Sequence, residues 1–494
     1  MSSTFYPTGT TIYNPEKAWN GYTLMPVPKV GAVLVDMNGN VVKVWKDLQG
    51  FPNKLLPGGY CMGSLGLRDS DYSYQDQTDL AQVDWDGNVV WKFNKNELIE
   101  DEGQEPEWMA RHPHAYQREG NTVGYYAPEM ECKTESGNTL ILCHETIHNH
   151  KISDKQLLDD VFVEVDWEGN IVWEWRVSEH FRELGFSQAA KNVLFRNPNQ
   201  HFTKNGELGD WMHINSMSTL GPNKWYDQGD ERFNQDNNIW DEREANIKAI
   251  KDKKTGKIVW QIGPDFTATK ELRKIGQIIG QHHCHMIPKG LPGEGNILLF
   301  DNGGWAGYGL PDRMSTDGTK VDIRDHSRIL EIAPVSLKVV WSYTASDNVT
   351  GMMPIIVNTT FYSQLISAAQ RLPNGNTMIT EGCFSRMFEV TPDKEIVWEY
   401  RAPFTKESPN QFIYRAYRYP YDYVPQLDKP EEVPVERLEV ETFRVPGAAL
   451  GMLDNFTEVP EAKGFNSSIA ACVTDDQIDD SSADPDDEVT GAKF

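Results

Sequence analysis

One phrase recurs six times along this chain and limits the available folds more than any other feature of it. It reads VLVDMNGNVVKVW at 33–45, LAQVDWDGNVVWKF at 80–93, VFVEVDWEGNIVWEW at 161–175 and IKAIKDKKTGKIVWQIG at 247–263. Two further copies are RILEIAPVSLKVVWSYT at 328–344 and RMFEVTPDKEIVWEYRAP at 386–403. Each has a β-branched run, a turn at Gly-Asn, Gly-Lys or a polar equivalent, and a second run ending in Val-Trp or Val-x-Trp. Gly and Asn tolerate the positive φ of tight turns, so each copy predicts a β-hairpin. A second phrase alternates with the first: GGYCMGS (58–64), GNTLILCHE (137–145), GNILLFDNG (295–303), NGNTMITEG (374–382) and a weaker relative, NNIWDER (237–243). These are short apolar strands placed before the next hairpin, which makes the repeating unit four antiparallel strands. Four-stranded units repeated radially form a β-propeller, and six hairpins predict six blades.

The expected fold class is therefore all-β, a six-bladed β-propeller closed by N- and C-terminal segments. The first hairpin comes too early to be preceded by two inner strands. The strand-like stretch QFIYRAYRYPYDY (411–423) is the expected source of what is missing. Closure of that kind leaves no free sheet edge. The propeller is expected to occupy residues 1–460 as one domain. TDDQIDDSSADPDDE (474–488) holds eight acidic residues, no basic and no aromatic ones, so 461–494 reads as a disordered acidic tail.

Charge and cysteine usage exclude several partners. The 47 basic and 73 acidic residues leave a net charge of −26, which repels nucleic acid and anionic lipid. No stretch approaches 18 apolar residues and the N-terminus lacks a signal peptide, so the expected location is cytoplasmic. The six cysteines (Cys61, Cys132, Cys143, Cys284, Cys383, Cys472) form no CxxC pair and read as free thiols. Partners are expected to be small aromatic molecules; a homo-oligomer is compatible with the sequence. No cofactor and no metal is expected.

Six of the 12 histidines fall where inner strands should begin: His112 and His114 in ARHPHAYQ, His213 in GDWMHINSM, and His282, His283 and His285 in GQHHCHM. In a regular strand Gln281, His283 and His285 would share one face and His282 and Cys284 the other, so the last cluster is not one face of three ligands.

WMHINSM, GKIVWQIG, GQHHCH followed by GNILLFDNG, and RLPNGNTMITEG together resemble the PAPS-independent arylsulfotransferase family of six-bladed propellers, over residues 30 to 420. The resemblance implies transfer of a sulfuryl group from an aryl sulfate to a phenol through a sulfated histidine, without nucleotide. It assigns His282 as the nucleophile, His213 and Arg243 as the groups that bind and polarise the sulfate oxygens, and His114 as a further histidine at the channel mouth. Gln281, Asn215, Trp211 and Arg386 are the expected substrate-binding residues. The chain is expected to depart from the family in that no signal sequence is visible and the first blade phrase begins near residue 33, without the extra N-terminal β domain. It also carries the run GPNKWYDQGDERFNQDNN between His213 and Arg243, which is expected to rim the channel. Two other functions use the same scaffold. A metal-dependent lyase, hydratase or oxygenase would ligate its ion with His114, His213, His282 and one of His283 and His285, or with His144, His148, His150 and Glu145. A non-catalytic binding propeller would use the channel mouth as a docking platform.

Overall fold

The computed structural model describes residues 7–308, 322–348, 358–404, 412–439, 442–449, 451 and 454–461. The acidic stretch 474–488 lies outside them. The chain divides into two compact units, Met1–Leu438 and Glu439–Phe494. The described part of the second unit contains turns and no helix or strand. No helix among the described residues is long and apolar enough to cross a membrane.

The first unit is a six-bladed propeller in which all six predicted hairpins are the outer halves of four-stranded antiparallel sheets. Blade 1 runs Tyr417–Tyr419, Tyr22–Val27, Gly31–Val35 and Val41–Lys46 from inside outward. Blade 2 runs Gln49–Leu56, Tyr60–Ser64, Leu80–Val83 and Val89–Phe93. Blade 3 is Tyr116–Arg118, Thr139–His148, Gln156–Val165 and Ile171–Arg176. Blade 4 is Ile214–Thr219, Asn238–Glu242, Ile247–Lys251 and Ile258–Ile262. Blade 5 is His282–Met286, Ile297–Asp301, Arg328–Ala333 and Lys338–Tyr343. Blade 6 is Ala368–Arg371, Thr377–Glu381, Arg386–Val390 and Ile396–Arg401, with Gly9–Tyr13 added as a fifth, outermost strand.

Both ends of the first unit close the ring. Tyr417–Tyr419 pairs with Tyr22–Val27, so the C-terminal stretch supplies the innermost strand of the blade carrying the first hairpin. The N-terminal strand crosses to the last blade, Gly9 opposite Arg401 and Tyr13 opposite Trp398, a second closure that the repeat pattern did not predict. Arg418 on the C-terminal strand meets Glu389 of blade 6 at 2.5 Å, both fully buried. Glu389 also accepts from the Trp19 N–H at 2.7 Å and from Asn376 at 2.6 Å, tying three segments to one carboxylate.

The recurring tryptophan has a specific task. In each blade the outer-strand indole N–H donates to a backbone carbonyl in the hairpin turn of the next blade. Trp45 reaches Asp84 at 3.0 Å, Trp91 reaches Trp167 at 2.9 Å and Trp175 reaches Gly256 at 2.9 Å. Trp260 then reaches Pro334 at 2.9 Å, Trp341 reaches Pro392 at 3.0 Å, and Trp398 returns to Met37 of blade 1 at 2.8 Å. The target turns are held rigid by their own sequence. Asp36 accepts from both the backbone and side-chain amides of Asn40, as Asp84 does from Asn88 and Asp166 from Asn170. The glycine inside each turn (Gly39, Gly87, Gly169) sits at φ between 83° and 89°, where a side chain would be strained. Apolar residues fill the spaces between sheets; Leu142, Phe162 and Trp175 of blade 3 pack on Trp240, Ile247 and Ala249 of blade 4.

On blade 5 a buried carboxylate fixes the segment leading to His282. Asp301 accepts from the Ile279 N–H at 3.0 Å, from Arg328 at 2.6 Å and from Arg324 at 2.9 Å. Burial alone would raise its carboxyl, but Arg324 and Arg328 outweigh that and hold it at about 2.

Two outcomes follow from these contacts. Trp398→Phe removes a buried hydrogen bond but leaves the Met37 carbonyl the Thr10 hydroxyl at 3.1 Å, so it should cost about 1 kcal/mol in urea unfolding; Trp341→Phe, at an exposed site, should cost less. Because the folded-state pKa of Asp301 is depressed, its contribution is present above the ordinary value of 3.8 and is lost as the pH falls through about 2. The stability gap between wild type and Asp301→Asn should therefore narrow by about 2 kcal/mol between pH 4.5 and pH 2, followed by urea titration at each pH. A constant gap would contradict the assignment.

Candidate active site

Six side chains, one from each blade at or just before the start of its innermost strand, meet around a cavity of about 470 Å³. They are Tyr414 (blade 1), Phe51 (blade 2), His114 (blade 3), His213 (blade 4), His282 (blade 5) and Ile366 (blade 6). Loops joining the second and third strands complete the wall: Tyr74 and Gln75 from blade 2, Arg243 and Glu244 from blade 4, Trp305 from blade 5 and Cys383 from blade 6. His201 comes from a separate ribbon, Gln200–Thr203 paired with Gly206–Gly209. All three loci with sequence-singled histidines therefore reach one cavity, because they occupy the same position in successive repeats.

The other expected residues lie elsewhere. Gln281 donates to the carbonyls of Glu242 (2.7 Å) and Ile247 (3.2 Å) and binds blade 5 to blade 4. Asn215 donates to Gln281 O at 2.8 Å and accepts from the His283 N–H at 3.3 Å. Trp211 is buried between blades 3 and 4, its indole donating to Asp159 at 3.2 Å. Arg386 bridges Glu381 at 2.9 Å and Glu399 at 2.5 Å on the outer part of blade 6. The run 221–238 joins the far end of Ile214–Thr219 to the start of Asn238–Glu242. It thus lies at the strand ends opposite His213 and Arg243 and does not rim this cavity. Of the histidine set in CHETIHNH, His144 is buried against Asp76 at 2.8 Å while His148 and His150 are exposed. Among the described residues no three His, Cys, Asp or Glu side chains are grouped to hold a metal ion.

A bulge breaks the expected alternation at 281–285. The register shifts between His282 and His285, and His283 takes φ +56°, a left-handed conformation rare outside glycine. His283 and His285 consequently face each other at 4.3 Å below the cavity, beside Tyr417 (3.2 Å from His283 Nε2) and Tyr125 (2.8 Å from His285 Nε2). Cys284 enters the apolar layer with Ile239 and Leu299, and His282 is turned into the cavity.

The protonation pattern of His282 can be deduced from its neighbours. Asn302 donates through Nδ2 to the carbonyls of Ser363 (2.7 Å) and Ile366 (2.8 Å), which fixes its amide orientation. Its Oδ1 is therefore the atom 2.8 Å from His282 Nδ1, with Gly280 O a second acceptor at 3.1 Å. Nδ1 carries the proton and Nε2 the lone pair, toward which the Ile366 N–H points at 3.2 Å. Burial first, and then the Arg243 charge, hold the ring well below its ordinary pKa, so His282 is neutral near pH 7. His114 is likewise held low, by burial and then by His213 and His282; its ring stacks on Tyr414 at 5.1 Å. Its Nε2 lies 3.1 Å from Nε2 of His213, whose Nδ1 is 2.6 Å from Asp210. Arg243 is buried, paired with Glu244 and donating to Trp305 O at 3.4 Å. Below the cavity floor Arg415 donates to Asn215 O at 3.2 Å, and Lys54 is lowered to about 7 by burial and then by Arg415. Sequence reasoning did not find Tyr74, His201, Asp210, Glu244, Asn302, Ile366 or Arg415. Asp210, Asn302 and Arg415 carried a signal, as members of phrases already marked (GDWMHINSM, GNILLFDNG and QFIYRAYRYPYDY).

No curated protein matches this chain. Among solved structures, a protein of unknown function from Bacteroides caccae aligns with 81% of the chain and 99% of its own at 10% identity, with a TM-score of 0.41. A putative 6-phosphogluconolactonase from Bacteroides fragilis NCTC 9343 covers 82% of this chain and 99% of itself at 10% identity and TM-score 0.33. Apo AztD from Citrobacter koseri covers 81% and 97% at 8% identity and TM-score 0.33. Similarity this low says nothing about chemistry. Residues 130–415, however, match the profile of the arylsulfotransferase (ASST) family. That interval covers more than half of the sequence and contains His213, Arg243 and His282, and on it the chain belongs to the arylsulfotransferase family.

Proposed function

We propose that this cavity moves a sulfuryl group from an aryl sulfate to a phenolic acceptor, with His282 Nε2 as the covalent carrier and no nucleotide. The observation that carries the reading is the neutral His282 ring with its lone pair on Nε2, in a cavity shared with Arg243 and the His114–His213 pair. Nε2 attacks sulfur, the aryl O–S bond breaks, and the departing phenolate takes a proton from the histidine pair. The acceptor phenol then returns a proton to that pair as its oxygen attacks sulfur and the N–S bond breaks. A phenol has a pKa of roughly 10, so protonation of the leaving oxygen and deprotonation of the attacking one both lower barriers.

The remaining side chains suit this scheme. Arg243 presents a permanently charged planar fork to the sulfuryl oxygens. The Ile366 N–H, aimed at Nε2 in the free enzyme, is placed to donate to a sulfuryl oxygen once Nε2 is bonded to sulfur. Phe51, Tyr74, Trp305, Phe412 and Tyr414 give the walls an aromatic character matched to aryl groups.

His282→Ala should abolish transfer between a chromogenic aryl sulfate and a second phenol, with the fold intact by circular dichroism. Arg243→Met should slow turnover about 10²–10³-fold, the usual effect of losing a donor aimed at developing charge. His283→Ala and His285→Ala should cost less, and a chelator should change nothing. Mass spectrometry after donor treatment should find the sulfuryl group on His282; full activity in His282→Ala would sink the proposal.

A further inference from the structure

Behind His213 lies a buried carboxylate that the transfer scheme does not use. Asp210 is fully buried, and its Oδ2 is 2.6 Å from His213 Nδ1 and 3.6 Å from His201 Nε2, the second beyond hydrogen-bond length. His201 reaches this point from the ribbon, its ring stacked 3.7 Å above Tyr74 with an interplanar angle of 13°. Four groups thus stand in line: His201, Asp210, His213 and His114. A carboxylate can only accept, so His213 Nδ1 holds a proton. At the 3.1 Å contact between the two Nε2 atoms, one must donate and the other accept. Two arrangements satisfy it: a neutral His213 accepting from His114, or a doubly protonated His213 donating to it. With His114 neutral they differ by one proton on His213 and by the His114 tautomer, which carries its hydrogen on Nε2 in the first and on Nδ1 in the second.

We propose that Asp210 is a positioning residue that fixes the His213 tautomer and supplies the negative charge against which His213 takes up and releases the proton exchanged with the phenol, with His201 competing for the same carboxylate. This rests on the transfer reading for its kinetic consequences only; the tautomer stands without it.

The surrounding charges leave Asp210 as the local anion. Asp160 on blade 3 is raised by burial and then by Asp210, and Glu242 on blade 4 by burial and then by Asp160, so both are pushed toward their neutral forms. Burial would raise Asp210 too, but His213 and His201 outweigh it and hold the carboxyl well below its ordinary range. Tyr74 and Tyr308 are both raised by burial, the one next by Asp210 and the other by Glu244 and Asp210, and stay protonated. On the cavity side His213 faces His114 and lies within electrostatic reach of the neutral His282, beside which stands the Arg243–Glu244 pair. The backbone agrees with a held side chain: His213 has φ +54°, a strained conformation for this residue type.

The test uses the full chain. Asp210→Asn keeps the shape but removes the charge and, because an amide can present either face, the tautomer constraint. Turnover of a chromogenic aryl sulfate should fall about 10²-fold or more, with KM changed less than about threefold. The pH–rate profile should move to lower pH by about one unit, since a facing carboxylate favours the protonated imidazole. His201→Phe keeps the stack on Tyr74 and removes the competitor, so its profile should move the opposite way. Without any substrate, long-range proton–nitrogen spectra of histidine-labelled wild type, assigned with His213→Gln, should show His213 Nδ1 protonated. A signal for His213 protonated on Nε2 alone overturns the proposal even if no transfer is ever detected, and so does an unshifted profile in either variant. If Asp210→Asn fails to fold, the wild-type spectra and His201→Phe still decide.

Discussion

Six indole N–H bonds passed from blade to blade make this ring a closed system. Each is an ordinary hydrogen bond, worth on the order of 1 kcal/mol net. Their arrangement matters more than their sum, because the sixth, from Trp398 to Met37, can form only when the other five blades have taken their angular places. The Arg418–Glu389 pair and the N-terminal strand on blade 6 act at the same seam. The active cavity inherits that closure. Its wall takes one residue at or just before the innermost strand of every blade, and a ring that failed to shut would separate Tyr414 of blade 1 from Ile366 of blade 6 while leaving each sheet intact.

Inside the cavity, burial does much of the chemical tuning. Four imidazoles and two guanidiniums lie in or near this space, all but His201 buried. Desolvation is the first cause holding His114 and His282 neutral, with nearby positive charge adding to it. Among the described residues, the same burial leaves Asp210 Oδ1, Glu244 Oε2 and His114 Nδ1 without hydrogen-bond partners. Unsatisfied polar atoms of this kind are costly and are rare in interiors that serve stability alone. The left-handed backbone at His213, His283 and Ile366 belongs to the same pattern of strain gathered at one place.

The repeat was legible because its determinants are local. Asp-x-x-Gly-Asn fixes a turn within five residues, and the β-branched runs on either side need no distant partner to read as strands. The histidines at 114, 213 and 282 were legible for a related reason, since each sits at or just before the innermost strand, ahead of a recognisable second strand. What could not be read depends on contacts across the ring. Nothing in GTTIY (Gly9–Tyr13) says that it pairs 388 residues away with Glu399, as Thr11 Oγ1 does at 2.6 Å. The alternation drawn through GQHHCH holds for His283 and His285, which share a face, but fails for His282 and Cys284, which part because the strand is bulged between His282 and His285, and a period of two cannot anticipate where it will be interrupted. Gln281, Asn215 and Trp211 sit in the right phrases but spend their polar atoms binding one blade to the next. The run 221–238 was placed on the wrong face because its composition shows exposure and not which end of the strands it joins.

Arg243 shows how such a site can favour the transition state over the ground state. An unpaired buried guanidinium would bind any sulfate tightly, product as well as substrate, and would slow release. Here Glu244 holds one edge of the fork, so the field on a sulfate bound as proposed would be partly cancelled. In the proposed transfer, charge would grow on the departing oxygen as the aryl O–S bond lengthens, the histidine pair would meet it with a proton, and sulfur would move onto Nε2 of His282 with one of its oxygens near the Ile366 N–H. The interactions that strengthen are those made along this path, and only such differential contacts raise turnover. An adjacent carboxylate in an anion site therefore weakens what need not be bound tightly, and it keeps the fork oriented between turnovers.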